Sequence, residues 1–270
     1  MPSNINVTFR TPSLVLPGEF WMYLPEKELP PIPGFPPNPN YDRPPKTLIL
    51  LHGFSGNCQD WLCNSVASQL SFLYNIAIVM PSGGLNFYLD LPATGQKYQT
   101  FIGEDLVNYL RDTFGLAKER ENTWIGGLSM GGFGALHTAF AYPERFSRVI
   151  ALSSALIIDE LEHMEPGVGN PVANYEYYAH TFGDLKTAKE RDCNPRVVYQ
   201  KLKAAGGPLP QIYMACGTED FLLPANRAMR DFLAGEGADL RYEEGPGIHD
   251  WNFWYPRSIE GVEWLLNGKR

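Results

Sequence analysis

The chain reads as an α/β domain, a mostly parallel sheet with helices on both faces and a small inserted segment. Two observations carry this reading. Short apolar runs at Thr47–Leu51, Ile76–Met80, Thr123–Ile125, Val149–Leu152 and Gln211–Ala215 have the length and composition of buried strands. Helix-period segments fall between them, the pattern of parallel strands joined by crossover helices. With 270 residues, 44% hydrophobic and 19% charged, the chain can bury one large core and is not a disordered polymer.

The elements follow in order. Ile5, Val7 and Phe9 alternate with polar residues, and Glu19–Leu24 forms a second strand after the Pro17-Gly18 turn signal. Pro25 to Pro45 holds three Pro-Pro pairs and reads as a long surface loop stiffened by fixed φ angles. It is a tolerated insertion, with a pocket wall or a subunit contact as the alternatives. It lies too early to separate two useful domains, so residues 1–270 are expected to form one. Leu106, Leu110 and Phe114 share a helical face with Gly115 as the stop, and Phe133, Leu136 and Phe140 do the same before Pro143. Further helices are expected from about Ala225 to Leu233 and from about Pro256 to Leu266, with Leu240–Glu243 as an edge strand. Residues 155–207 interrupt the rhythm with Tyr175, Tyr177 and Tyr178 and read as a lid-like insertion.

Charge and cysteines narrow the setting. The net charge is −8 and no Lys/Arg cluster stands out, which argues against nucleic-acid binding. Met1-Pro2-Ser3-Asn4 lacks the basic-then-apolar order of a signal peptide. No apolar run approaches the ~20 residues that cross a bilayer, so a cytoplasmic location is expected. Cys58, Cys63, Cys193 and Cys216 contain no C-x-x-C pair. One bridge, for example Cys58–Cys63, is open, but free thiols are the better reading.

Chemistry concentrates at Gly126-Gly127-Leu128-Ser129-Met130-Gly131-Gly132, which contains G-x-S-x-G between a strand and a helix. A serine on that sharp turn is held strained with its hydroxyl clear of the sheet, and the flanking glycines remove Cβ atoms that would clash. The helix N-terminus beside it favours negative charge. A P-loop is excluded because Phe133 follows Gly132. A dinucleotide fingerprint is excluded because Gly132-Phe133-Gly134 continues to His137.

Serine needs a base, and the base needs an orienting acid. The chain order Ser, Asp or Glu, His leads to His249, on a Gly/Pro-built loop before the last helix. His163 and His180 fall in the irregular insertion. Gln211–Ala215 leads straight to Thr218-Glu219-Asp220, which makes Asp220 the candidate acid and Glu219 its alternative; Asp250 is adjacent to the histidine and unsuited. The backbone N–H groups of Met130 and Phe54 are the candidate oxyanion donors, Phe54 because it lies in the loop His52-Gly53-Phe54 after an early strand. His52 is read as a brace for that loop. Trp61, Tyr88, Trp251 and Trp254 lie near these loops and are candidate pocket residues, with ordinary core packing as the alternative. No H-E-x-x-H or comparable spacing occurs, so no metal is expected.

Four ordered motifs, Leu51-His52-Gly53-Phe54-Ser55-Gly56-Asn57, Gly127–Gly132, Gly217-Thr218-Glu219-Asp220 and His249-Asp250-Trp251, resemble the esterase D / tributyrin esterase branch of the α/β-hydrolases. That branch holds acetyl esterases, cinnamoyl (feruloyl) esterases and S-formylglutathione hydrolases. The resemblance spans about Lys46 to Leu266. It implies an α/β-hydrolase fold, a Ser129–Asp220–His249 triad, no cofactor and usually a homo-oligomer. The His-Asp-Trp ending and Tyr98–Glu104 look more like tributyrin esterases than formylglutathione hydrolases, while the proline-rich loop is longer than that branch has. The expected activity is hydrolysis of short acetyl-like or cinnamoyl/feruloyl esters of small or carbohydrate-linked alcohols through an acyl-enzyme. A formylglutathione-type thioesterase and a non-catalytic binding protein are the alternatives.

Overall fold

In the computed structural model, which describes residues 2–26 and 37–268, β3 (Lys46–Leu51) shows why the sheet carries a core on each face. Its side chains alternate: Leu48 and Leu50 join one buried cluster, Ile49 and Leu51 the other. A strand buried on both faces needs apolar residues at every position, and the run Leu48–Leu51 supplies them.

Strands β1 (Ser3–Phe9) and β2 (Gly18–Leu24) form an antiparallel hairpin at one edge. Next in chain order come β4 (Ile76–Pro81), a two-residue hairpin of β5 (Asp90–Leu91) and β6 (Gln96–Lys97), then β7 (Thr123–Leu128) and β8 (Arg148–Leu152). The last two are β9 (Gln211–Gly217) and β10 (Leu240–Gly245). The main sheet has the order β1-β2-β4-β3-β7-β8-β9-β10. β2 is antiparallel to β4, and every pair from β4 to β10 is parallel. β10 is the far edge, as expected of Leu240–Glu243.

Helices α1 (Asp60–Asn64), α2 (Ala67–Tyr74) and α10 (Trp251–Asn267) cover one face, burying Trp61, Leu70, Val262 and Leu265 against it. On the other face, α3 (Tyr98–Thr100) continues through a π-helical stretch, Phe101–Leu106, into α4 (Val107–Phe114). Gly115 ends it at φ +67°, a conformation that suits glycine. α5 (Met130–Ala141) also lies on this face. The apolar stripe expected on one side of α5 understates it, because every residue from Met130 to Phe140 is buried. β-strands pack on one side of α5, and α8 (Pro195–Ala204) closes the other, with Phe140 meeting Tyr199 at 5.0 Å.

Residues 155–207 fold as α6 (Ile158–Leu161), α7 (Tyr175–Phe182), a 3-10 stretch and α8. α8 buries Tyr199 and Leu202, and serves as a crossover between parallel β8 and β9. α9 (Leu223–Gly235) makes the next crossover, from β9 to β10. The final helix starts earlier than the expected Pro256. Asp250 accepts from the Asn252 and Phe253 amides at 3.0 and 3.3 Å, capping a helix that begins at Trp251 and contains Pro256. Of the proline-rich stretch, residues 27–36 lie outside the described residues. Its later part is pinned to the end of α2, where Tyr41 donates to Phe72 O and Arg43 to Tyr74 O. The four cysteines are free. Among the described residues no helix is long and apolar enough to cross a membrane.

Candidate active site

β7 runs into Ser129 and α5 leaves from it, so the serine must reverse the chain within one residue. It does so at φ 55°, ψ −120°, a strained conformation that costs about 1–3 kcal/mol. Three backbone hydrogen bonds hold it: Ser129 N–H to Leu152 O (2.9 Å), and Phe133 and Ala155 N–H to Ser129 O (3.2 and 2.9 Å). The glycines around it are obligatory. A Cβ on Gly127 would stand 2.4 Å from the Gly131 backbone, and one on Gly131 would stand 2.2 Å from Leu51 O.

His249 arrives on the loop between β10 and α10, and Asp220 on the turn after β9. The structure brings both to Ser129. His249 Nε2 lies 3.0 Å from Ser129 Oγ, and His249 Nδ1 lies 2.9 Å from Asp220 Oδ2. Asp220 Oδ1 accepts the Leu222 amide at 2.9 Å. Burial pushes the Asp220 carboxyl up, but the hydrogen bonds from His249, Leu222 N–H and Ser153 outweigh it and hold the group below the usual aspartate value. Glu219 does something else. It accepts Gly247 N–H at 2.6 Å and the Thr218 hydroxyl at 2.8 Å, tying the histidine loop to the β9 turn. His163 and His180 are exposed and do not line the cavity above Ser129.

Phe54 and Met130 both line that cavity. Neither backbone N–H has a backbone acceptor among the described residues; Met130 is the first residue of α5, where amides lack intrahelical partners. The Gly53–Phe54 peptide is fixed from its carbonyl side. Gly53 O accepts His52 Nδ1–H at 2.7 Å and Gly56 N–H at 3.2 Å. His52 Nε2 in turn accepts Gly83 N–H at 2.8 Å, which sets the tautomer, and burial lowers the imidazole's pKa so that it stays neutral.

The cavity is about 880 Å³ and largely apolar, with Ser129 and His249 in its wall. Trp251 and Trp254 line it; Trp61 and Tyr88, expected beside them, do not and belong to the packed interior. Trp61 is buried behind Trp251, with its indole donating to Leu51 O at 3.0 Å. Tyr88 is fully buried, donates to His52 O at 3.0 Å, and fills the space beside Gly83 and Gly134. Each satisfies its polar tip on the backbone of the strand end or loop it supports. Sequence reasoning missed Ser153, a buried residue at φ 43° after β8 whose hydroxyl bonds Asp220 and receives the Trp254 indole N–H. Only its place one residue past a strand end could have flagged it.

A hydroxyl, an imidazole and a carboxylate in one hydrogen-bonded line, beside two amides free to bind an oxyanion, suit acyl transfer. The family model of esterases matches residues 29–265. The chain belongs to the esterase family. The esterase is 44% identical over 220 residues to an acetyl esterase of Caldicellulosiruptor saccharolyticus, covering 82% of this chain and 83% of that protein. In fold the esterase is similar to fluorophosphonate-binding serine hydrolase F of Staphylococcus aureus. That match has a TM-score of 0.83 and 24% identity, over 98% of this chain and 99% of the other. It is also similar to the S-formylglutathione hydrolase of the same organism, with a TM-score of 0.80 and 23% identity over 99% and 100% of the two chains. The esterase thus has the α/β-hydrolase fold and is a carboxylic-ester hydrolase.

Proposed function

We propose that this esterase cleaves short acyl esters, acetyl esters foremost, through an acyl-enzyme on Ser129. The observation that carries the reading is the unbroken line from Ser129 Oγ to His249 (3.0 Å) and on to Asp220 (2.9 Å). Ser129 Oγ attacks the ester carbonyl while His249 Nε2 takes its proton. The Phe54 and Met130 amides hold the oxyanion, and Asp220 keeps His249 oriented and stabilises its charged form. Collapse of the tetrahedral intermediate expels the alcohol, which receives the proton from His249. Water, activated by His249, then releases the acid.

The acetyl preference draws support from the 44% identical acetyl esterase. A cavity of about 880 Å³ also has room for an aromatic acyl group of the cinnamoyl or feruloyl kind, or for a sugar on the alcohol side. The same reading has the enzyme working in the cytoplasm as a homo-oligomer without nucleic acid, membrane or cofactor. Four free thiols suit such a reducing compartment. Ser129→Ala tests the mechanism. The folded variant is expected to lose p-nitrophenyl acetate turnover by at least about a thousandfold and to resist a fluorophosphonate probe. Undiminished turnover would refute the assignment.

A further inference from the structure

The walls of the cavity carry charge of one sign. Asp60, on α1, and Glu160, on α6, line it from segments a hundred positions apart, and no Lys or Arg is among the described residues that line it. Neither carboxylate has an ion-pair partner among the described residues. The cations near Glu160 are taken up elsewhere: Lys189 pairs with Asp159 and Glu162, Arg196 with Asp159 (3.0 Å), and Lys186 with Glu165 (3.8 Å). Burial and then neighbouring Asp159 raise the Glu160 carboxyl's pKa. Among the other described lining residues, Ser55, Asn170 and Tyr178 are polar and uncharged.

We infer that this pocket selects its esters by charge, admitting neutral and cationic alcohols and rejecting those that bear a carboxylate or phosphate. An anionic substrate would meet two like charges and, among the described lining residues, no Lys or Arg to pair with, the unfavourable juxtaposition through which sites exclude wrong partners. Glutathione thioesters, with two free carboxylates, fall in the rejected class; acetylated sugars and simple alcohol esters do not. The inference rests on the acyl-enzyme reading above and narrows its substrates.

The test compares 4-acetoxyphenylacetate with its methyl ester, where a methylene insulates the phenol electronically from the charged or neutral end. The expected kcat/KM is about tenfold or more lower for the anion at low ionic strength, and the gap narrows in high salt. In the Asp60→Asn/Glu160→Gln double variant, the ratio between the two substrates is expected to move towards one. Equal turnover of the two esters by the native enzyme overturns the inference, as does a gap that neither salt nor the double variant changes. Because the salt series uses the native protein, a variant that fails to fold does not spare the inference. Absence of turnover on the neutral methyl ester is a different result: it removes the acyl-enzyme reading, and the selection rule with it.

Discussion

Trp254 donates its indole N–H to Ser153 Oγ at 3.0 Å, and the same indole meets the His249 ring edge-on at 4.9 Å. With that lone pair of Ser153 occupied, the hydroxyl's own hydrogen is available to Asp220, which already accepts from His249 and Leu222. One helix, α10, therefore steadies the imidazole directly and its carboxylate partner through a serine. Trp254→Phe keeps an aromatic ring and deletes the donor. Its kcat is expected to fall about fivefold, the value of one hydrogen bond. Ser153→Ala should cost a similar factor, and the double variant no more than the worse single one, because both break one chain of bonds. Additive losses in that kinetic cycle would separate the two residues.

Asp220→Asn should lower kcat by about 10³–10⁴, since an amide neither fixes the tautomer nor stabilises the imidazolium. The same carboxylate contributes to stability with a definite sign. Its pKa is depressed in the folded state. The contribution is therefore complete above the ordinary aspartate value, about 3.9, and is lost as pH falls through the lower folded value. Melting curves of native and variant protein should differ at neutral pH and converge on acidification.

His52→Phe removes the bond that aims the Gly53–Phe54 peptide and leaves Gly83 N–H without its acceptor. The expected loss is about 10- to 100-fold in kcat, with a smaller change in KM, because an oxyanion donor acts mainly in the transition state. Since burial keeps His52 neutral, the factor should stay constant across the neutral and alkaline range. A pH-dependent factor would show that His52 titrates during turnover.

Gly131→Ala sets a methyl group 2.2 Å from Leu51 O and 2.6 Å from His52 O, two backbone atoms that cannot step aside alone. A destabilisation of at least about 2 kcal/mol is expected, read as a lowered Tm. Activity should fall with it, because the displaced segment leads directly into Phe54.

Much of this was legible in the linear chain. Strand and helix signals marked every long strand of the sheet, and Ser129, Asp220 and His249 were each nominated by a place just beyond a strand. Asp250 concealed the start of α10, since an Asp followed by Trp reads equally well as loop or cap, and Pro256 offered a more familiar opening. α1 and α2 are short and capped by no side-chain bond, so no signal announced them. Trp61 and Trp254 look alike in sequence; burial of Trp61 behind Trp251, while Trp254 lines the cavity, is a fact about α1 and α10 meeting.

The order of elements, the glycines at the Ser129 turn and the spacing of nucleophile, acid and base were determined by sequence alone. Each depends on neighbours a few residues away, where backbone geometry leaves few choices. Only the tertiary structure decided that Ser153 supports Asp220, that Trp254 rather than Trp61 faces the cavity, and that Asp60 and Glu160 share its walls. These relations join side chains from distant strands and helices, and no local pattern encodes a contact that exists only once the sheet has brought its strand ends together.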